Sequence, residues 1–373
     1  MLPTLYHVST FFPTKCGIAT YTEDLISSIK EFKQLRARLL FDIEDVTSNF
    51  DCNIIINNRE TYLDAANTIN HSRSSVVSLQ HEFGIYGGEF GEYIIDFVNA
   101  IDLPIISTLH TVKEGLSVKQ KKILELLINR SDLVIVLTEI SKELLIKEFN
   151  LMDSKIAVIR HGVHEIPFIS PKDSIIRTQI NSELVFVTAG HLRPTKGYEF
   201  ALFALAKFKK IKSDFKFIII GTYQEQFDEG QSYKKYLEKL IIDLDLSNNI
   251  IWIDKFVSLE MLLDYFKAAD IGLVTYTNQD HNSSGILPII LSCGRPVVAT
   301  KFEFAITLNQ FRNNGVYLAE VNDSESIFNV IAKITESNEY LNRIRLFCYS
   351  KSREWLWVHA GKQYSNYYNQ FIH

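Results

Sequence analysis

Residues 184–205 read "LVFVTAGHLRPTKGYEFALFAL", and this stretch decides the fold. It opens on an apolar run of strand length, closes that run at Gly190, and resumes after Lys196-Gly197 as a helix-forming segment. A run that is apolar at successive positions belongs to a strand buried on both faces, the setting of a parallel sheet covered by helices. The turn then lies at the carboxyl end of a parallel strand and carries two cations, Arg193 and Lys196. Such a turn is a natural cradle for a diphosphate. It reads equally well as a solvated loop whose charges cap the next helix.

The same alternation extends in both directions. "YHVST", "NIIIN", "SVVSL", "PIISTL", "DLVIVLT" and "IAVIR" are strands of a first sheet, with "YTEDLISSIKEFKQL", "GEYIIDFVNAI" and "SVKQKKILELLINR" as helices. "LVFVTAG", "FKFIIIG", "NIIWID", "DIGLVTY" and "PVVATK" supply a second sheet. Between the two, "VHEIPFISPKDSIIRTQINSE" loses periodicity and reads as a linker. The fold class is α/β: two Rossmann-like, doubly wound parallel-sheet domains facing a cleft. The expected boundaries are 1–165, a linker over 166–182, 183–350, and a last aromatic-rich helix over 351–373.

Composition narrows the function. With 373 residues the chain is long enough for two cores, and 46% hydrophobic with 22% charged residues is the balance of a soluble globular protein. A net charge of -5 argues against general nucleic-acid binding, which needs a broad basic surface. The four cysteines, Cys16, Cys52, Cys293 and Cys348, form no CxxC pair and point to a reducing cytoplasm. Neither a signal-like start nor a spanning apolar run is visible.

Further ligand candidates fall at strand exits. Lys15-Cys16-Gly17 precedes a helix, where glycine lets the backbone approach an anion or simply makes a tight turn. "LQHEFGIYGGEFGEYI" places His81, Glu82, Tyr86, Gly87, Gly88 and Glu89 after a strand. There His81 could accept a hydroxyl proton with Glu82 orienting it, or be a structural histidine packed by Phe83 and Tyr86. His110 and His161 end two other strands; a metal trio with His81 has no supporting spacing. In "DHNSSGILPIILSCGRPVVAT", residues 280–300, the small polar residues before an apolar segment are a second anion candidate.

Taken together, "PTKCGIATY", "GHLRPTKG", "CGRPVVAT" and the closing "REWLWVHAGKQYSNYY" resemble, in order and spacing, the retaining nucleotide-sugar glycosyltransferases of family 4, which have the GT-B architecture. The resemblance implies an N-terminal acceptor domain, a C-terminal donor domain, and a last helix crossing back to the former. It implies a hexose transferred from a UDP- or GDP-sugar to a carbohydrate acceptor with retention. His110, Lys196 and Arg193 are then catalytic. Gly17, Gly190, His191, Phe256, Val257, Asn282, Ser283, Ser284, Gly285, Ile286 and Glu303 bind the donor. His81, Glu82, Tyr86, Gly87, Gly88 and Glu89 bind the acceptor. No cofactor or metal is required, since the two cations neutralise the diphosphate.

The family's two glutamates, separated by seven residues, fall at His281 and Ile289, so Glu303 is the candidate for the ribose. Rival readings are a nucleotide-sugar epimerase, a sugar phosphorylase, or a non-catalytic binding subunit on the same fold. The basic runs "KEFKQLRAR" and "KFKKIK" would touch anionic lipid if the acceptor is lipid-linked, but read first as solvated helix faces.

Overall fold

The structure is a computed structural model and describes residues 2–14, 16–41, 50–72, 76–223, 228–279, 284–310 and 315–372. The chain divides into two compact units, Met1–Gly162 with Trp357–His373, and Val163–Leu356.

In the first unit the strands are β1 (Thr4–Ser9), β2 (Lys33–Leu40), β3 (Cys52–Ile55), β4 (Val76–His81), β5 (Ile105–Leu109), β6 (Leu133–Val136) and β7 (Ile156–Val158). They form one sheet in the order β3-β2-β1-β4-β5-β6-β7, and every described pairing is parallel. The helices are α1 (Gly17–Ser28), α2 (Glu60–His71), α3 (Ile94–Ala100), α4 (Val118–Arg130) and α5 (Glu139–Phe149). Alternate strand residues feed the two faces: Val77, Leu79 and Val136 pack under one, Val76, Ile106 and Ile135 under the other.

The second unit holds α6 (Ile175–Thr178), β8 (Leu184–Ala189), α7 (Tyr198–Phe208), β9 (Phe215–Ile220), α8 (Asp228–Asp243), β10 (Ile250–Ile253), α9 (Leu259–Ala268) and β11 (Ile271–Val274). It continues through α10 (Ile286–Ser292), β12 (Val297–Thr300), α11 (Glu303–Gln310), β13 (Val316–Ala319), α12 (Ser324–Ile334) and α13 (Asn338–Ser352). Its parallel sheet runs β10-β9-β8-β11-β12-β13. In both sheets the strand order reverses once, beside β1 and β4 in the first and beside β8 and β11 in the second. The crevice at the carboxyl ends of such a reversal is where open α/β sheets hold ligands.

Two elements differ from the sequence reading. The segment 21–35, read as one helix, is α1 only to Ser28; residues 33–40 are β2, paired along β1. Gln34 ends the helix, because its amide donates to the carbonyls of Ile26 (2.9 Å) and Ile29 (2.6 Å). The basic run 30–38 is consequently not a solvated helix face: Arg36 pairs with Glu23 at 3.1 Å, and the buried Arg38 lies 4.8 Å over the Phe50 ring. In the other run, Lys207, Lys209 and Lys212 pair with Glu325, Asp245 and Glu183.

The segment 166–182, read as a linker, contains a 3-10 turn at Pro171–Asp173 and α6. Arg177 anchors it inside the second unit through the buried Asp270 at 2.9 Å. At the other end, Leu356 is extended, and a new helix, α14 (Trp357–Asn369), packs in the first unit. There Tyr364 bonds the hydroxyls of Tyr21 (2.9 Å) and Thr108 (3.0 Å), and Tyr368 bonds Ser78 (2.8 Å). Among the described residues no helix is long and apolar enough to cross a membrane.

Candidate functional site

In the second unit the turn after β8 is built by close backbone packing. Gly221, at the end of β9, has φ +140°, and a Cβ there would fall 2.0 Å from the Gly190 carbonyl oxygen. The chain then makes a 3-10 turn at Pro194–Lys196 and enters α7 through Gly197 in the left-handed region, φ +61°. A Cβ on Gly197 would meet the Thr275 carbonyl oxygen at 2.1 Å, so only glycine lets this turn lie against the exit of β11. The Thr275 hydroxyl locks the contact by donating to the carbonyls of Gly197 (2.8 Å) and Lys196 (3.2 Å).

That packing sets Lys196 Nζ 3.8 Å from the centroid of the Tyr276 ring, a cation–π distance. Tyr276 is itself fixed: it stacks on Phe302 at 4.7 Å, and its hydroxyl pairs with Ser284 Oγ at 3.2 Å. Ser284 Oγ also accepts from the Leu287 amide at 3.4 Å. Arg193 and Lys196 lie close enough to His191 that, after burial, their charges push its pKa below the ordinary range. The carboxyl edge at the strand reversal thus gathers Gly190, His191, Arg193, Lys196, Tyr276 and Ser284.

The remaining donor-side residues spread along the same edge. Gly285 and Ile286 follow Ser284 into α10. Glu303 opens α11 beyond β12, its amide donating to Gln279 O at 2.8 Å. Phe256 is half exposed and Val257 half buried after β10, two strands away from β8. Asn282, Ser283 and His281 lie outside the described residues. Ile289 packs in the apolar core. Tyr276 was missed in the sequence; its place directly after the apolar run of β11 is the one signal that points to it.

In the first unit, Gly17, Glu82 and His110 follow β1, β4 and β5, neighbours at the strand reversal, and His81 is the last residue of β4. Among the described residues a Cβ on Gly17 would meet nothing within 4 Å, so no contact with them demands glycine there. His81 is fully buried, edge-on to Phe83 at 5.1 Å and stacked on Tyr86 at 6.1 Å, and burial pushes its pKa to about 4. Its ring is a wedge in the core and is not presented to solvent. Tyr86 donates to Gln80 O at 2.5 Å, and a Cβ on Gly87 would strike Ile56 O, so these residues shape the loop. Gly88 and Glu89 are exposed, and Glu89 pairs with Lys119 at 2.7 Å.

Glu82 accepts from Thr111 Oγ1 (2.5 Å) and the Phe83 amide (3.0 Å), while burial raises its carboxyl pKa. His110 is 6% exposed and bonds Gln80 Oε1 through Nε2 at 2.8 Å. The Tyr21 ring separates it from His161, with centroids at 4.7 and 5.1 Å. Among the described residues no group of three or more His, Cys, Asp or Glu is placed to hold a metal.

Two all-parallel α/β sheets, one in each unit, make up the two-Rossmann GT-B fold. Residues 172–347 match the family described as glycosyl transferases group 1. The fold is similar to that of Anabaena HepE, solved in complex with UDP, at TM-score 0.78 and 17% identity over 99% of this chain and 100% of that one. It is also similar to sucrose-phosphate synthase from Thermosynechococcus elongatus, TM-score 0.76 and 13% identity, covering 99% and 98%. A Rickettsia africae glycosyltransferase gives 0.73 and 14%, covering 99% and 98%. No curated protein sequence matches the chain.

Proposed function

We propose that the protein transfers a hexose from a UDP- or GDP-sugar to a carbohydrate acceptor, with retention at the anomeric carbon. The observation that carries this reading is the Lys196–Tyr276 pair beside Arg193, a fixed cationic group at the carboxyl edge of the strand reversal. Negative charge grows on the diphosphate as the anomeric C–O bond breaks. Cations held in advance stabilise that state more than the ground state. The acceptor oxygen bonds to the anomeric carbon on the face the diphosphate leaves, and its proton passes to a departing phosphate oxygen. HepE, which shares the fold, has been solved with UDP-glucose, making that donor the first to try.

Within this reading His110 and Gly17 act on the donor, and Glu82 is the polar group offered to the acceptor. Glu303 is assigned to the ribose. No metal is assigned a role, so EDTA should leave turnover unchanged, and a loss restored by Mg²⁺ or Mn²⁺ would remove that part. One observation favours a second reading: the buried, apolar Ile289 stands where the family resemblance expects an acid. A binding subunit that no longer turns over would tolerate it.

The experiment is release of nucleoside diphosphate from UDP- and GDP-hexoses with and without glycan acceptors. Acceptor-dependent release with a retained anomer by NMR supports transfer. Tight nucleotide binding without turnover supports the binding subunit, and no nucleotide binding rejects both.

A further inference from the structure

We propose that Gln80 is a positioning residue that fixes His110 as the Nε2–H tautomer and thereby leaves Nδ1 as a neutral hydrogen-bond acceptor for a sugar hydroxyl. This rests on the assignment of His110 to the donor, and it names what that residue offers: an acceptor, which selects a ligand group that can donate.

β4 and β5 run parallel in register, with His81 opposite Leu109, and the His110 amide donates to the His81 carbonyl at 3.0 Å. This places the side chains of Gln80 and His110 together at the carboxyl edge, where Gln80 Oε1 lies 2.8 Å from His110 Nε2. Gln80 is fully buried and held from its own backbone by the Tyr86 hydroxyl. The edge of the Tyr21 ring, itself bonded to Tyr364, closes the other side of the imidazole. The ring is thus held by Gln80 at Nε2 and by Tyr21 packed at right angles to it.

A neutral imidazole has one N–H and one lone pair, and the partner of one nitrogen decides the role of the other. The groups packed around His110 do not favour its cation. Burial lowers its pKa to about 3, and His161 and His81 add to that effect. Tyr21 and Thr108 are neutral, and among the described residues no carboxylate bonds the ring. With the proton on Nε2 directed at Gln80 Oε1, Nδ1 carries the lone pair. The hydrogen bond of the imidazole is the one between Nε2 and Gln80, and among the described residues the buried Gln80 Nε2 has no partner. The reverse amide orientation would instead place the proton on Nδ1 and make His110 a donor.

The test is histidine ring ¹⁵N–¹H NMR of the full-length protein without ligand, with His110→Gln used to assign the resonance. The expected spectrum has His110 as the Nε2–H tautomer and no titration from pH 8 to 5.5. Gln80→Glu, which keeps an acceptor and adds charge, should keep that proton in place and bring titration of His110 into this range. Gln80→Leu, checked for folding by circular dichroism, should lose the single-tautomer signature. In UDP-hexose turnover, Gln80→Leu should lower kcat at least 10-fold with KM changed less than 3-fold, and Gln80→Glu should recover part of it at high pH. An Nδ1–H tautomer in the wild type, or an unchanged His110 resonance in both variants, overturns the proposal. Because the tautomer is read without substrate, a protein with the predicted tautomer and no turnover would instead count against the transferase reading.

Discussion

Lys196 Nζ stands 3.8 Å from the centre of the Tyr276 ring, and Tyr276 in turn stacks on Phe302 and bonds Ser284. The cation is therefore oriented by a ring that three separate strand exits converge on. An ammonium on a flexible stem gains most from such a support, because its entropy is lost before the ligand arrives.

Removing the charge and removing its support should differ in size. Lys196→Ala should lower kcat/KM roughly 100-fold or more, the scale of one lost transition-state donor. Tyr276→Leu should cost about 5- to 30-fold, the scale of a cation–π contact. Steady-state kinetics with UDP-glucose, alongside thermal melting, measures both; turnover unchanged in Lys196→Ala would sink the role.

Gly197 is tested through stability. Its φ of +61° and the 2.1 Å approach of the Thr275 oxygen to an added Cβ leave no room for a side chain. Gly197→Ala should destabilise the protein by about 1–3 kcal/mol or more. Urea midpoints give the value, and a shift under about 0.3 kcal/mol would mean the turn relaxes freely.

The buried histidines of the first unit predict acid sensitivity. Burial holds His7 and His81 near 4 and His110 near 3, below the ordinary value of 6.5. Between these values the unfolded chain binds the extra protons, so stability is full above pH 6.5 and falls as pH drops toward 4. The slope is about 1.4 kcal/mol per pH unit for each histidine. His81→Phe, which keeps the wedge between Phe83 and Tyr86, should flatten it when urea midpoints at pH 7 and 5 are compared. Parallel slopes for the two proteins would reject this cause.

Asp270 carries a different kind of prediction. It accepts from Arg177 (2.9 Å), from Arg345, and from the Val185 amide (2.7 Å), all buried. Asp270→Asn leaves two guanidinium groups without their carboxylate and should cost about 3–5 kcal/mol. Guanidinium denaturation of the full chain measures it, and a cost below 1 kcal/mol would mean that water compensates both arginines.

Much of the architecture is local and was legible as such. Val185, Val187 and Ile218 sit in runs that no amphipathic helix explains, and Gly190 and Gly197 punctuate them where the chain must turn. The strand β2 was not legible, because Leu25, Ile29, Phe32 and Leu35 keep a helical spacing; only pairing with β1 and the Gln34 amide decide where the helix stops. The four-residue β13 is too short to carry a period of its own.

The candidate site divides the same way. Cations in a βα turn and histidines at strand exits are properties of consecutive residues, and the sequence by itself determined them. That His81 is a core wedge while His110 reaches the edge, that Gln80 holds His110, and that Tyr276 supports Lys196 were decided by tertiary structure alone. Each joins residues on different strands, and strand order is set by which buried faces pack together, a pairing that no local spacing records.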